Sequence, residues 1–285
     1  MQQHIQHIRR ELNGLYTPSE ITVLTRLILE EVCGLPYVVI TDNKINHLSR
    51  SQAEKLDDIL IRLKKGEPYQ YVFGETEFYG KMFKVTGNVL IPRPETEELV
   101  EWIVSEQHGG SLLFLDIGTG SGCIAVALAT EVEHAQVDAW DISEEALVVA
   151  AENASRNKAA VHFSRVDIFQ PVTPLKKYDV IVSNPPYVTE SEKKEMDRNV
   201  LDFEPHEALF VPDDRPLLFY ERIVALAEEL LHDGGRLYFE INRNMSEQVA
   251  ALLRDAGFRT IEIKSDISGN PRMIRAQKST AHEEA

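Results

Sequence analysis

The stretch 113-LFLDIGTGSGCIAVALATE-131 decides the fold. It begins with the apolar character of a buried strand, ends with that of a helix, and joins the two through glycines at positions 118, 120 and 122. Glycines in such a turn let the backbone approach a ligand closely and point helix N-terminal amides toward it. The pattern therefore predicts a strand, a ligand-binding turn and a helix that begins at Gly122.

The spacing of these glycines argues against a dinucleotide ligand. Dinucleotide-binding turns follow G-x-G-x-x-G, whereas here the third small position is Cys123 and the glycine comes one residue early. This spacing favours a nucleoside that carries a carboxylate over one that carries a pyrophosphate. A purely structural interpretation stays open, in which Asp116 merely caps the turn.

Further strands and helices alternate along the rest of the chain. Strands are predicted at 136–143, 161–167, 178–184 and 235–241, with helices from 144, at 217–231 and at 246–256. Strands separated by helices indicate an α/β fold with a mostly parallel sheet covered on both faces. The last two strands, 259–266 and 272–278, have no helix between them, so we expect an antiparallel hairpin.

Polar residues end successive strands of this sheet. Asp141 ends the second strand, Asp167 and Phe169 follow the third, and Asn184 ends the fourth. Because ligands bind outside the carboxyl ends of parallel strands, we expect these residues to meet around one adenosine-containing ligand, with Asp141 on the ribose diol. Asp141 with Ser143 could instead only cap the next helix.

The stretch 178-YDVIVSNPPYVTE-190 places Asn184, Pro185, Pro186 and Tyr187 beside that ligand. The two prolines stiffen the chain and remove two backbone donors. A carboxamide and a proline carbonyl can accept both hydrogens of an -NH₂ group on a planar system, and the face of Tyr187 could stack that system. This chemistry works by positioning rather than by a strong base. His162 and His206 are interpreted as structural or solvated.

The first part of the chain has a different residue pattern. Residues 1–70 show helical patterns, with capping boxes predicted at Thr17-Pro18-Ser19-Glu20 and at Ser51-Gln52-Ala53-Glu54. Aromatic and β-branched residues with glycines between 69 and 89 predict a β-hairpin linker. In 90-LIPRPETEELVEWIV-104, the prolines predict an extended entry to a helix that begins near Thr96.

Composition and charge narrow the class of protein. The chain of 285 residues has a formal charge of −16, two cysteines without metal spacing, and no apolar run long enough to span a bilayer. Residues 1–90 carry 11 basic and 11 acidic side chains, so the remainder holds the whole negative charge. We expect a cytoplasmic, membrane-free and metal-free protein whose acidic half disfavours nucleic acid and favours basic partners.

Together these motifs resemble the class I S-adenosylmethionine-dependent methyltransferases, and more narrowly the HemK/PrmC family of peptide chain release factor glutamine methyltransferases. The resemblance rests on 66-GEPYQYVFGETEFYGKMFKV, 90-LIPRPETEELV, 115-LDIGTGSGCIA, 183-SNPPYV, 203-FEPHEAL and 266-DISGNPR. It implies a Rossmann-like seven-stranded methyltransferase sheet with a C-terminal antiparallel hairpin. It also implies a small N-terminal helical-bundle domain at 1–70 for substrate recognition, a β-hairpin linker at 71–92 and a catalytic domain at 93–285.

The resemblance further implies a reaction and the residues that carry it. A methyl group would pass from S-adenosylmethionine, which leaves as S-adenosylhomocysteine, to the side-chain amide nitrogen of a glutamine in the Gly-Gly-Gln motif of release factors. Asn184 and the Pro185 carbonyl would hold the amide, with Pro186 and Tyr187 shaping its slot, in an enzyme expected to be monomeric. The residues expected to line the cofactor are Gly118, Thr119, Gly120, Ser121, Gly122, Asp141, Asp167, Phe169 and Asn184.

One segment departs from the family pattern. The family usually shows Glu-x-Gly-x-x-Gln after the fifth strand, whereas 240-EINRNM-245 keeps Glu240 but has Asn242 and Met245. We expect this loop to lie away from the tetrad Asn184–Tyr187. Three alternatives stay open: a ribosomal-protein glutamine methyltransferase, a DNA or RNA base-amino methyltransferase, and a cofactor-binding protein without catalysis. A nucleic-acid enzyme would need a basic groove or a target-recognition insert, and neither is evident.

Overall fold

The computed structural model describes residues 1–42, 47–107, 110–172 and 176–280. The predicted end of the catalytic domain at residue 285 lies outside these ranges. By order along the chain, the elements are α1 (Gln2–Leu12), α2 (Pro18–Cys33), α3 (Tyr37–Asp42), α4 (Arg50–Lys64), α5 (Tyr69–Phe73), β1 (Glu75–Phe78), β2 (Lys81–Lys84), α6 (Pro94–Ser105), β3 (Leu113–Ile117), α7 (Cys123–Glu131), β4 (Gln136–Asp141), α8 (Glu144–Arg156), β5 (Val161–Arg165), β6 (Tyr178–Ser183), β7 (Val188–Thr189), α9 (Arg198–Phe203), β8 (Phe210–Val211), α10 (Leu218–Leu230), β9 (Leu231–Glu240), α11 (Ser246–Asp255), β10 (Arg259–Ser265) and β11 (Pro271–Gln277).

The chain forms two compact units. The first comprises Met1–Gly74 together with Asp197–Phe203, and the second comprises Glu75–Met196 and Glu204–Ala285. In the first unit, apolar side chains of α1, α2, α3 and α4 pack into one core, which includes Ile8, Leu12, Ile28, Leu29, Ile40 and Leu63. Each of these amphipathic helices has an apolar stripe that it cannot bury alone, so the helices pack against one another.

One of the two predicted capping boxes is confirmed and the other is wrong. At α2, the Thr17 side chain accepts the Glu20 amide while Glu20 accepts the Thr17 amide at 2.7 Å. At α4 the cap is Ser49, which exchanges the same pair of bonds with Gln52, and Ser51 already lies inside the helix. Both serines precede a polar residue at the required spacing, so the local pattern alone did not separate them.

The predicted hairpin is present, but it begins later than expected. Residues 69–73 form helix α5, which Pro68 precedes and Gly74 ends with a φ of 77°. The hairpin consists of β1 and β2, paired antiparallel. Helix α6 also begins earlier than expected, because Pro94 occupies its first turn instead of an extended entry.

The second unit is built on a seven-stranded sheet with the order β10-β11-β9-β6-β3-β4-β5. Strand β3 pairs parallel with both β4 and β6, and β6 pairs parallel with β9. Strands β10 and β11 form the predicted antiparallel hairpin at one edge. The expected fold class is confirmed.

The sheet is covered on both faces. Along β3, Phe114 packs into one apolar cluster with α6 and α7, whereas Leu115 packs into a second cluster with α10 and α11. In β6, Val180 and Val182 belong to the first cluster and Ile181 to the second. Side chains of a strand alternate between faces, so the apolar run of each central strand is buried on both sides. Within the described ranges, no helix is long and apolar enough to cross a membrane.

The two serines of α4 provide a direct test of its cap. We expect Ser49→Ala to lower the stability of α4 by about 1 kcal/mol, because it leaves a helix N-terminal amide without its acceptor. Ser51→Ala is the matched control, since Ser51 is equally exposed and lies within the helix, and its effect should stay within about 0.5 kcal/mol. Hydrogen exchange of the α4 amides measures both. Equal losses of protection in the two variants would contradict the assignment of Ser49 as the cap.

Candidate active site

The glycine-rich turn after β3 is held by bonds from its neighbours. The amides of Gly118 and Thr119 both donate to the Trp140 carbonyl, at 2.8 and 2.9 Å. The amide of Gly120 donates to Asp141 Oδ2 at 2.8 Å. On the other side, Asn153 Nδ2 donates to the Ser121 carbonyl at 2.9 Å. The turn is thus fixed in shape before any ligand arrives.

The three glycines of the turn serve different purposes. A Cβ atom at Gly118 or Gly120 would meet no protein atom within 4 Å, so these positions face open space. A Cβ at Gly122 would lie 3.0 Å from the Ala150 Cβ. Gly122 therefore lets α7 pack against α8, and it is not among the residues that line the cavity described next. Its predicted contact with a cofactor finds no support here, because its free side is filled by α8.

A cavity of about 550 Å³ opens at the carboxyl ends of β3, β4 and β6. This volume lies within the range of small-molecule and cofactor sites. The cavity brings together eight of the nine residues predicted to bind a cofactor, namely Gly118, Thr119, Gly120, Ser121, Asp141, Asp167, Phe169 and Asn184. Pro185 and Pro186 line it as well.

Asp141 lies at the cavity and also orients Ser143, which is the residue that caps α8. Its Oδ1 accepts the Ser143 amide at 2.9 Å and its Oδ2 accepts the Gly120 amide. Burial raises the pKa of this carboxyl above its ordinary value, and the amide bonds oppose that rise. The capping and ligand-binding interpretations are compatible, because each carboxylate oxygen can accept more than one hydrogen bond.

The third predicted strand end supplies an apolar wall. Asp167 Oδ1 accepts the Phe169 amide at 2.9 Å, which orients the residues that follow β5. The Phe169 ring is 45% exposed and stands edge-on to Phe219, with 5.4 Å between ring centroids. Phe219 and Ile168 also line the cavity. A flat apolar surface of this kind suits an aromatic base.

These residues fit an adenosine-containing ligand with a carboxylate tail. Open space at Gly118 and Gly120 leaves room for a ligand against the turn. Asp141 offers acceptors for a ribose diol, and the Phe169 side chain offers an apolar face for the base.

The tetrad is placed at the end of β6, next to β3. Ser183 Oγ donates to the Ile117 carbonyl at 2.7 Å and ties the two strand ends together. Asn184 Nδ2 donates to Thr96 Oγ1 at 3.3 Å. The Tyr187 hydroxyl donates to Glu240 Oε1 at 2.9 Å. Both ends of the tetrad are thus held by side chains from other elements.

A smaller cavity of about 50 Å³ adjoins the first one. Asn184 and Pro185 line both cavities, whereas Tyr187 and Glu240 line only the smaller one. The Tyr187 hydroxyl is committed to Glu240, and its ring packs in part against the apolar core. If the face of the Tyr187 ring stacks against a substrate group, that group lies in the smaller cavity.

The expectation that the loop 240–245 lies away from the tetrad is wrong. Glu240 binds the Tyr187 hydroxyl, and Asn242 Nδ2 donates to the Tyr187 carbonyl at 3.2 Å. Asn242 also donates to both carboxylate oxygens of Glu192, at 3.1 and 3.2 Å. Because β9 is the parallel neighbour of β6, the two strand ends meet at the same edge of the sheet.

Sequence reasoning did not assign three buried polar side chains to this site, although it interpreted Asp116 as a cap of the turn and named Glu240 in the family pattern. Thr96 and Glu240 are 2% exposed, and Thr96 Oγ1 donates to Glu240 Oε2 at 2.6 Å. Asp116 is fully buried, and its Oδ2 accepts the Thr119 hydroxyl at 2.6 Å. The signal in the sequence was a polar residue within an otherwise apolar segment. Such a residue is buried only when its side chain has hydrogen-bond partners, so it indicates a specific contact.

Asp116 is the group with the most unusual surroundings. Within the described part of the chain, its Oδ1 is the one buried side-chain polar atom without a hydrogen-bond partner. Burial raises the pKa of this carboxyl to about 7, helped by the nearby charge of Asp141 and opposed by the Thr119 hydroxyl. The capping interpretation of Asp116 is supported, since its bond to Thr119 closes the turn.

Comparison with known proteins is consistent with this arrangement. Residues 95–202 match the family model of the methyltransferase small domain, and residues 3–74 match that of the PrmC N-terminal domain. The chain is 47% identical over 273 residues to a release factor glutamine methyltransferase of Bacteroides thetaiotaomicron, covering 95% of this chain and 98% of that protein. It is 44% identical over 268 residues to one of Flavobacterium psychrophilum, covering 93% of this chain and 94% of that protein.

Among solved structures, a methyltransferase from Pyrococcus furiosus superposes with a TM-score of 0.53 at 17% identity. The match covers 81% of this chain and 100% of that one. At this identity the likeness concerns the fold alone.

The different surroundings of the glycines predict different costs of substitution. We expect Gly122→Ala to destabilise the protein by about 2 kcal/mol more than Gly120→Ala, because only the former forces a Cβ against Ala150. Both residues have a positive φ, of 80° and 54°, so both variants share the backbone strain. Urea denaturation measures the difference, and equal losses of stability would contradict the assigned role of Gly122.

The raised pKa of Asp116 predicts a pH-dependent stability. In the unfolded chain this carboxyl ionises near its ordinary pKa of about 4, whereas in the fold it ionises near 7. The fold therefore holds a proton that the unfolded chain releases, and its stability falls between these two values as pH rises. Relative to Asp116→Asn, wild type should lose up to about 1.4 kcal/mol per pH unit in this window and nothing further above it.

The measurement is urea denaturation of both proteins at several values of pH from 5 to 8. Stability curves that run parallel across this range would contradict the raised pKa.

Proposed function

Because the chain belongs to the family of the release factor glutamine methyltransferases, we propose that it methylates the side-chain amide nitrogen of a glutamine in the Gly-Gly-Gln motif of a release factor. The methyl donor is S-adenosylmethionine. The reaction serves translation termination. The observation that carries this proposal is the position of Asn184 and Pro185, which line both the large cavity and the small one beside it.

The two cavities suit two reactants. The large one has the volume and the residues for the cofactor, and the small one has room for a group the size of a carboxamide. A nitrogen held between them stands where the two reactants meet. Effective methyl transfer requires this alignment, because an amide nitrogen is a poor nucleophile with a delocalised lone pair.

Asn184 and Pro185 hold the amide in this proposal. The Oδ1 atom of Asn184 and the carbonyl of Pro185 accept the two amide hydrogens, which aims the nitrogen into the large cavity. Tyr187 lines the slot around the glutamine, and Pro186 borders the large cavity beside it. When bound, S-adenosylmethionine would supply the methyl group from its sulfonium, and the products would be S-adenosylhomocysteine, the N-methylated amide and one proton released to water.

The cofactor is held by the residues at the strand ends. The turn Gly118–Ser121 receives its carboxylate-bearing tail, Asp141 binds the ribose hydroxyls, and Phe169 with Asp167 frames the adenine. These side chains are pre-positioned by their own bonds, so little ordering accompanies binding.

The protein substrate is recognised outside these cavities. We propose that the first unit, with its helices α1–α5, contributes to this recognition. The strongly acidic remainder of the chain favours a basic partner over nucleic acid, and basic character is what a protein that binds ribosomal RNA requires. The monomeric state and the cytoplasmic location stay predictions from the sequence.

A methyl-transfer assay tests the function. Labelled S-adenosylmethionine is offered with a purified release factor, with total ribosomal protein and with DNA, and the modified peptide is mapped by mass. Asn184→Ala should lower the rate of transfer to the release factor by about 100-fold or more, because the amide loses an acceptor that aligns it. Cofactor affinity, measured by calorimetry, should weaken by less than tenfold.

Asn157→Ala is the matched control, because its carboxamide bonds the Met82 carbonyl and lines neither cavity. It should methylate as wild type does. Label on ribosomal protein or DNA instead of the release factor would contradict the substrate. Bound cofactor without label on any substrate would contradict the activity itself.

A further inference from the structure

The orientation of the Asn184 carboxamide is decided by two residues of other elements. Thr96 lies in the first turn of α6, and Glu240 ends β9. Their side chains are joined by a bond of 2.6 Å between Thr96 Oγ1 and Glu240 Oε2, and both residues are 2% exposed. A threonine hydroxyl has one hydrogen, and here it is used on the carboxylate.

The remaining capacity of Thr96 is that of an acceptor. Only the nitrogen of a carboxamide can donate to it, and Asn184 Nδ2 does so at 3.3 Å. The reversed orientation would place the Asn184 oxygen against an oxygen without a free hydrogen. The Oδ1 atom of Asn184 therefore points away from Thr96, and within the described ranges it has no hydrogen-bond partner.

Glu240 is suited to this task by its own surroundings. Its second oxygen accepts the Tyr187 hydroxyl at 2.9 Å, so both carboxylate oxygens face hydroxyl donors. Burial raises the pKa of this carboxyl above its ordinary value, and the two hydroxyl donors and the nearby charge of Arg272 oppose that rise. One buried carboxylate thus holds Asn184 through Thr96 at one end of the tetrad and Tyr187 at the other.

We propose that Thr96 and Glu240 are positioning residues, which fix the Asn184 carboxamide with its oxygen turned toward the substrate amide. The inference rests on the proposed function for its substrate, but the orientation itself is a property of the free protein. Without the Thr96 hydroxyl, the carboxamide is free to rotate. Its NH₂ group would then face the substrate for part of the time and repel the NH₂ group to be methylated.

The experiment compares Thr96→Val, which has the same shape without the hydroxyl, with Thr96→Ser, which keeps it. Thr96→Val should lower the turnover number about tenfold, less than Asn184→Ala does, because the carboxamide still takes the correct orientation for part of the time. The Kd of S-adenosylmethionine and the KM of the release factor should change less than threefold. Thr96→Ser should recover most of the turnover. Thr130→Val is the matched control, because Thr130 is also a helical threonine of the second unit, donates to the Val126 carbonyl at 2.9 Å and lines neither cavity.

A second measurement does not depend on activity. With ¹⁵N-labelled asparagine, the side-chain NH₂ signal of Asn184 is identified by its loss in Asn184→Ala. It should shift in Thr96→Val and stay near the wild-type position in Thr96→Ser and Thr130→Val. If Thr96→Val does not fold, Thr96→Ala takes its place in both measurements.

The outcomes separate the two proposals. A shifted signal with no methylation of any release factor supports the positioning role and contradicts the proposed function. An unchanged signal together with full turnover in Thr96→Val overturns the positioning role and leaves the function intact. Equal losses of turnover in Thr96→Val and Thr96→Ser, with weakened cofactor binding, also overturn it, because they indicate a merely structural residue.

Discussion

The parallel pairing of β3 with β4 on one side and β6 on the other is the constraint on which the site depends. It brings the glycine-rich turn between the ends of two strands that arrive from different parts of the chain. The turn then takes its shape from β4, through the Trp140 carbonyl and the Asp141 carboxylate. The same edge receives Asn184 from β6, so the residues proposed to hold the cofactor and the substrate converge at one edge of the sheet.

The pairing of β6 with β9 brings a further strand end to the site. Glu240, at the end of β9, lies behind the tetrad and binds side chains at both of its ends, in one case through Thr96. Two hydroxyl donors and the charge of Arg272 offset part of the cost of burying this carboxylate, whose pKa stays above its ordinary value. If Asn184 holds a substrate amide as proposed, its carboxamide needs such support from behind, because sites of this kind require placement within about 0.5 Å.

The departure of this chain from its family pattern belongs to the same region. Asn242 replaces a residue that is usually glycine, and its side chain bonds the Tyr187 carbonyl and Glu192. Glu192 in turn accepts the Thr189 amide at 2.8 Å, so the segment after the tetrad is tied to the end of β9. In this chain the loop 240–245 is therefore part of the wall that holds Tyr187.

The residue patterns of short segments were enough to predict much of the fold and of the larger cavity. The alternation of apolar strands with amphipathic helices predicted the mostly parallel sheet and its final hairpin. Of the nine predicted cofactor residues, eight line the larger cavity, and two of these, Thr119 and Ser121, came from the family resemblance. These signals are local, since a strand end, a glycine-rich turn and a proline pair are each contained in a few residues. The exact helix starts were harder, because Ser49 and Ser51 offer nearly the same cap.

Tertiary structure alone decided which side chains meet across the sheet. Thr96 and Glu240 are 144 positions apart, and no local pattern indicates that their side chains bond. The role of Gly122 depended on Ala150 of a neighbouring helix, and the place of Asn242 depended on β9 pairing with β6. Such contacts depend on strand order, which composition and periodicity do not encode, and burial in the folded state then makes each of them specific.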